Sequence, residues 1–349
     1  MMRLLAVVVL SSGCSLIRDL DYLGSGAEEP LPDLCPEGGW CVLPDTKIRP
    51  ECPDSNAEAD YAATCWDVVR SHNGGVYDHV GHRLVIWGAG SGQTGHKGNE
   101  VYALSLTDGA MRRLTDPSSA PECVSVLPDG TPHPRSTRGS LAFTAGGMLA
   151  VGGEVICGGF DDTWFFDLTA LSWTNRAPLG PDGCDPLVAG TCHPSGLGEM
   201  THSDPVTGAV FVKDTYRFWR YDGGSNRYEQ LRDYVPTSYA QTASIDPDRR
   251  LFVYIGCDIY DSMCVPSLGS ISIDPDTLYA NSDWTDEQTG CEPLMESYGP
   301  GFVYDARQKV FVGWPNKGDT VYVLDPATKQ CTPRTFPGGP PPAQMESST

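Results

Sequence analysis

Nowhere do about eighteen apolar residues follow one another in this 349-residue chain, whereas a helix crossing a bilayer needs about 20. Runs of Lys and Arg are missing too. With 24 basic against 45 acidic residues, a net charge of −21, the chain would repel a phosphate backbone, and nucleic acid is not expected as a partner. No two cysteines are spaced Cys-x-x-Cys, which removes the commonest zinc and thiol-redox motifs. Helical periodicity never persists beyond a turn or two, and 39 glycines and 29 prolines demand many chain reversals. An all-helical protein is therefore excluded.

What is present begins with an export address. Met1-Met2-Arg3 is a short positive stretch, Leu4 to Leu10 is apolar throughout, and Ser11-Ser12-Gly13-Cys14 places small residues before a cysteine. The segment resembles a bacterial lipoprotein signal, although Ser11 stands where leucine is usual. That resemblance implies removal of residues 1–13 and a lipid on Cys14, with membrane attachment through the lipid alone.

The chain has 13 cysteines, and setting Cys14 aside leaves an even number, the pattern of a disulfide-bearing exported protein. Short separations favour Cys35 with Cys41, Cys52 with Cys65, Cys184 with Cys192 and Cys257 with Cys264. Cys123 with Cys157 and Cys291 with Cys331 then follow by elimination.

From about residue 74 one pattern recurs five times: a strand, a turn with Asp or Gly, a second apolar strand, a glycine-containing loop, and an aromatic strand ending near Asp. The third strands align on Ser105, Asp167, Asp222, Asp274 and Asp325. Six residues further on stand Met111, Trp173, Tyr228, Ala280 and Cys331, so the repeat has diverged. A sheet of this kind cannot bury both faces alone, and radial packing around an axis supplies the missing surfaces.

Gly152-Gly153, the run Asp162-Thr163-Trp164-Phe165-Phe166-Asp167, and Trp173 resemble the kelch repeat of β-propellers. More narrowly, TKIRP, NGGVYD, RLVIWGAGSG with GNEVYALSL, LTDPS, LPDGTP and FPGGPPP are similar to a group of exported bacterial kelch proteins, from about Asp45 to Pro342. The implied fold is an all-β kelch-like β-propeller with five recognisable four-stranded blades. A sixth is expected, because the resembling chains continue after PGGPPP with another blade. Residues 35–73 would complete the ring in part, or one sheet edge would be left open. Tyr61, Cys65 and Val68, at helical spacing, predict a short helix there. The expected organisation is a signal peptide over 1–13, a tether over 14–34, an N-terminal disulfide-bearing segment over 35–73, the propeller over 74–336, and a Pro-rich tail over 337–349.

Chemical motifs are weak. Gly90-Ser91-Gly92-Gln93-Thr94-Gly95 spells G-x-G-x-x-G, but a strand rather than a helix is expected to follow, so it reads as a blade loop. The seven histidines, 72, 79, 82, 96, 133, 193 and 202, lack zincin spacing, and no metal site is assigned. Asp246-Pro247-Asp248 and Asp274-Pro275-Asp276 offer carboxylates where turns need Asp and Pro. A propeller would bring the residues before its inner strands to one mouth: Asn73, Arg135, Arg138, Glu199, His202, Tyr239, Gln241, Glu296 and Tyr298. Their mix of charge, amide and phenol suits a polar ligand, the other reading being that they satisfy backbone groups between blades.

The expectation is an exported protein of the bacterial cell envelope, lipid-anchored at the outer membrane or extracellular. It would be a non-enzymatic binding protein recognising a peptide or glycan, with no cofactor. The alternative is a carbohydrate-active or metal-dependent enzyme similar to galactose oxidase, a copper enzyme of the broader kelch-like group.

Overall fold

The computed structural model describes residues 46–336, apart from 57–58, 70–73, 89–95, 119–123, 156–157, 185–190, 195–198, 234–239, 261–262 and 278, together with 8–10, 14–16 and Trp40. Aspartate makes most of its tight turns. Asp78 Oδ1 accepts the N–H groups of Val80 (3.0 Å) and Gly81 (2.9 Å), and four residues beyond the aspartate His82 adopts φ +47°. The same device recurs at Asp167 with Leu171 (+51°), Asp222 with Asn226 (+51°), Asp246 with Arg250 (+56°), Asp305 with Lys309 (+57°) and Asp325 with Lys329 (+58°). The carboxylate mimics a backbone turn, and the left-handed residue returns the chain to its partner strand.

These turns join five four-stranded antiparallel sheets, the blades of an all-β propeller. Blade one is Gly74–Asp78, Arg83–Trp87, Tyr102–Ser105 and Met111–Arg113. Blade two is Leu141–Thr144, Gly147–Val151, Thr163–Asp167 and Ser172–Asn175. Blade three is Met200–Ser203, Val210–Lys213, Arg217–Asp222 and Arg227–Asp233. Blade four is Gln241–Asp246, Leu251–Tyr260, Met263–Ser272 and Asn281–Asp283. Blade five is Gly301–Asp305, Val310–Trp314, Thr320–Asp325 and Gln330–Thr335. Of the five aligned positions, four close their third strands, and Asp274 lies just past a strand that ends at Ser272.

The chain divides into two compact units. Residues 45–105 and 110–237 carry blades one to three; residues 1–44, 106–109 and 238–349 carry blades four and five. In the three-blade unit the period of two is visible in one strand: Met148 and Ala150 enter the core shared with blade one, while Leu149 and Val151 enter the core shared with blade three. Each face of blade two is thus buried on a neighbour. In the two-blade unit, Val253, Ile255, Leu268, Phe302, Phe311 and Leu324 form the core between blades four and five.

In three of the blades the position six residues after the aligned aspartate fastens the blade backward, by different chemistry. Trp173 lies 4.6 Å from Trp87 of blade one, ring centroid to centroid. Tyr228 shares a 2.9 Å hydrogen bond with Thr163 of blade two. Cys331 is bonded to Cys291 in the connection entering blade five.

The segment before blade one is helical rather than a sixth blade. Among the described residues of 46–69 there are short helical turns at Arg49–Glu51, Tyr61–Thr64 and Cys65–Val69, and no strand. Tyr61, Cys65 and Val68 are all buried, as their spacing predicted. Glu51 Oε2 accepts the N–H of Arg113 at 3.3 Å, and the Glu51 carbonyl accepts from its guanidinium at 2.9 Å, so the segment covers the outer edge of blade one.

Four of the six expected disulfides are present: Cys52–Cys65, Cys184–Cys192, Cys257–Cys264 and Cys291–Cys331. Cys35, Cys41, Cys123 and Cys157 lie outside the described residues, as does the G-x-G-x-x-G loop. Residues 8–10 and 14–16 pair as a short antiparallel hairpin.

Candidate functional site

Blades two and three supply the densest group of buried polar side chains at the entrance to their inner strands. Arg135, on the approach to blade two, is 1% exposed. Its Nε donates to the His133 carbonyl at 3.0 Å, Nη1 to the Gly152 carbonyl at 3.0 Å and to Asp162 Oδ1, and Nη2 to Asp162 Oδ2 at 3.2 Å and the Ser125 carbonyl at 3.4 Å. A guanidinium has five N–H donors, so each has an acceptor within the protein. Its plane also lies 4.5 Å over Phe160. The chain already takes all its hydrogen bonds, which fits the other reading of the entrance residues, that they satisfy backbone groups.

The double glycine makes this packing possible. A β-carbon at Gly153 (φ +108°) would stand 2.7 Å from Arg135 Cδ, and one at Gly152 (φ +62°) would stand 2.8 Å from Glu199 Oε1. Both positions need glycine for backbone and for space. The pair lets an arginine and a glutamate close on the same turn from two sides.

Glu199 enters from the start of blade three and is 2% exposed. Its Oε1 has no hydrogen-bond partner among the described residues. Burial pushes its carboxyl up to about 8; the charges of Asp214 and Asp161 add to the rise, and Arg138 opposes it. Arg138 reaches Glu154 at 3.2 Å. Asp161, half-buried, forms no hydrogen bond or ion pair with a described residue; burial raises its carboxyl, and His193 opposes that. His202 is held below the ordinary histidine range by burial, with Nδ1 3.0 Å from the Ser203 carbonyl oxygen.

In the two-blade unit the entrance residues are more open. Gln241 is buried at the start of the inner strand of blade four, whereas Glu296 and Tyr298 are exposed on the approach to blade five. Asn316 donates to the carbonyls of Tyr298 (2.9 Å) and Gly299 (2.6 Å), which fixes that approach. Asn73 and Tyr239 lie outside the described residues.

The suspected carboxylate pairs are turn residues, as their prolines suggested. Asp246 Oδ1 accepts the N–H of Asp248 and Asp274 Oδ1 that of Asp276, each at 3.0 Å. Among the described residues no three His, Cys, Asp or Glu side chains come together as a metal site, so the metal-dependent alternative finds no ligand set there.

Sequence reasoning missed one buried network. His96 lies between Thr64 Oγ1 (3.0 Å from Nδ1) and Glu100 Oε1 (3.0 Å from Nε2), and the Tyr102 hydroxyl donates to the same oxygen at 2.9 Å. Burial alone would raise Glu100, but the hydrogen bond and charge of His96 bring it below its usual value. The arrangement pins the helical segment to blade one. Its signal was the spacing of His96 and Glu100 on an extended run, where a helical spacing rule does not apply.

Comparison of the chain with protein-family models and with curated proteins finds no match. The propeller architecture fits a binding role, and the four disulfides suggest an oxidising, exported environment. No helix among the described residues is long and apolar enough to cross a membrane.

Proposed function

We propose that this is an exported binding protein of kelch type, carried on a lipid at Cys14 in a bacterial envelope, that recognises a peptide or glycan at the entrance of blades two and three. One observation carries the binding reading: a fully buried carboxyl, Glu199, retains an unused acceptor beside a half-buried carboxyl, Asp161. Polar groups with nothing to bind are costly inside a protein, and a ligand offering N–H or O–H donors would remove that cost. Three carboxylates at this entrance, Glu154, Asp161 and Asp162, with the Glu199 carboxyl beside them, against two guanidiniums favour a neutral or cationic ligand over an anion.

The lipid and the bacterial envelope rest on the resemblance of residues 1–14 to lipoprotein signals and of the blades to exported kelch proteins. Peptide and glycan arrays probed with the purified protein test the binding role. A ligand whose binding falls in Arg138→Ala and His202→Ala, with unchanged thermal unfolding, supports it; binding indifferent to both overturns the placement. Intact mass of the membrane-extracted protein reads the lipid directly, and retention of residues 1–13 would refute it.

A further inference from the structure

Charge balance at the entrance of blades two and three is uneven. Asp162 is held by Arg135 and Glu154 by Arg138. Two carboxyls remain without a dedicated cation, Glu199 in the interior and Asp161 nearer the surface, within electrostatic reach of one another. The charged groups facing Glu199 are Asp214, Arg138 and Asp161; those facing Asp161 are His193 and Asp162. At Gly152 the Glu199 Oε1 and the Phe160 carbonyl oxygen both crowd the missing β-carbon, at 2.8 and 3.0 Å, so two acceptors converge on one side of the turn. A β-carbon at position 152 would collide with both oxygens, so only glycine lets them come this close.

We propose that Asp161 and Glu199 receive the ammonium group of a lysine side chain from a peptide ligand. The inference rests on the binding reading above and names the chemistry of its ligand. A compact ammonium with three donors suits convergent oxygens of this kind, where a planar guanidinium would need a bidentate partner. Depth favours a peptide over an amino sugar. Glu199 is 2% exposed, and lysine carries its charge on a slim four-carbon stem, whereas a sugar amine sits directly on a bulky ring. Ionised Glu199 is the form that pairs with the ammonium. Since its carboxyl is pushed up to about 8 while lysine stays charged to about 10.4, apparent affinity rises roughly tenfold between pH 7 and 9.

The test is ligand-observed NMR titration with an end-blocked Gly-Gly-Lys-Gly-Gly peptide, its acetyl-lysine counterpart, and chitosan oligomers. The protein is compared with Glu199→Gln, Asp161→Asn and the surface control Asp182→Asn, each checked for native circular dichroism. The expected result is binding of the lysine peptide alone, weakened about tenfold or more in Glu199→Gln and Asp161→Asn, and unchanged in Asp182→Asn. Its rise with pH disappears in Glu199→Gln. Equal binding of the acetylated peptide, or of chitosan in place of the lysine peptide, overturns the ammonium site and leaves the binding role standing. If the lysine peptide does not bind the folded protein, the proposal falls; if array ligands also fail, the binding role falls with it.

Discussion

Asp162 takes two of the five N–H donors of Arg135 from 27 residues away, and backbone carbonyls take the other three. The pair is a strut of the blade two entrance. Arg135→Ala would strip Asp162 of its cation, leaving it only the Trp164 indole N–H, and three carbonyls without their donor. Breaking a buried ion pair from one side costs about 3–5 kcal/mol. A drop of this size in urea-unfolding stability is expected; an unchanged midpoint with weakened ligand binding would support the contact role.

Glu199 makes stability depend on pH with a definite sign. Its carboxyl titrates near 8 when folded, against an ordinary value of 4.5, so the folded state holds the extra proton between those limits. The group's contribution is full below about 4.5 and is lost as pH rises through about 8, a span on the order of 5 kcal/mol. Glu199→Gln, which cannot ionise, should flatten that decline and be more stable than the parent at pH 9. Denaturant midpoints of both proteins at pH 5, 7 and 9 read the difference.

Leu171 adopts φ +51° in an Asp turn and is 39% exposed. A left-handed backbone costs an L-residue about 1–2 kcal/mol and costs glycine nothing. Leu171→Gly should therefore raise stability by about 0.5–1 kcal/mol, despite the general cost of glycine to the folded chain. A lower thermal midpoint would show that the leucine side chain packs more than its exposure suggests.

Cys291 and Cys331 close a loop with a sequence separation of 40 at the entry to blade five. Removing such a link costs about 4 kcal/mol in the chain-entropy account. The double replacement Cys291→Ala with Cys331→Ala should unfold at lower denaturant, with the loosening concentrated in amide exchange of residues 320–335. Uniform exchange across the blades would mean that the disulfide is not what fastens this one.

The five blades were legible because strand alternation and Asp turns are local signals: Asp167 needs only the next three residues to make its turn. The four described disulfides were legible as well, three from short spacing and Cys291–Cys331 by elimination. The entrance chemistry was not. Asp162 lies 27 residues from Arg135, and nothing near Arg135 announces an acceptor for every donor. Glu199 looked like any polar residue before a strand until Gly152 brought its carboxylate against a neighbouring turn. The fastening position shows both behaviours. Trp173 was visible as a repeat residue, while Cys331 looked like a lapse in the pattern and is the same position filled by a covalent bond.

The Asp turns carry a last consequence. Asp78, Asp167, Asp204, Asp222, Asp246, Asp274, Asp305 and Asp325 all hold backbone N–H groups, so a good part of the −21 charge comes from reversing the chain. Those hydrogen bonds hold Asp167 below the ordinary carboxylate range, and the Ser225 hydroxyl with the Gly224 N–H does the same for Asp222. Acidity of this origin grows with the number of hairpins and says nothing about what the molecule binds. Two propellers of this pattern with opposite ligand preferences would share these turn charges, and only carboxyls outside the turns would tell them apart.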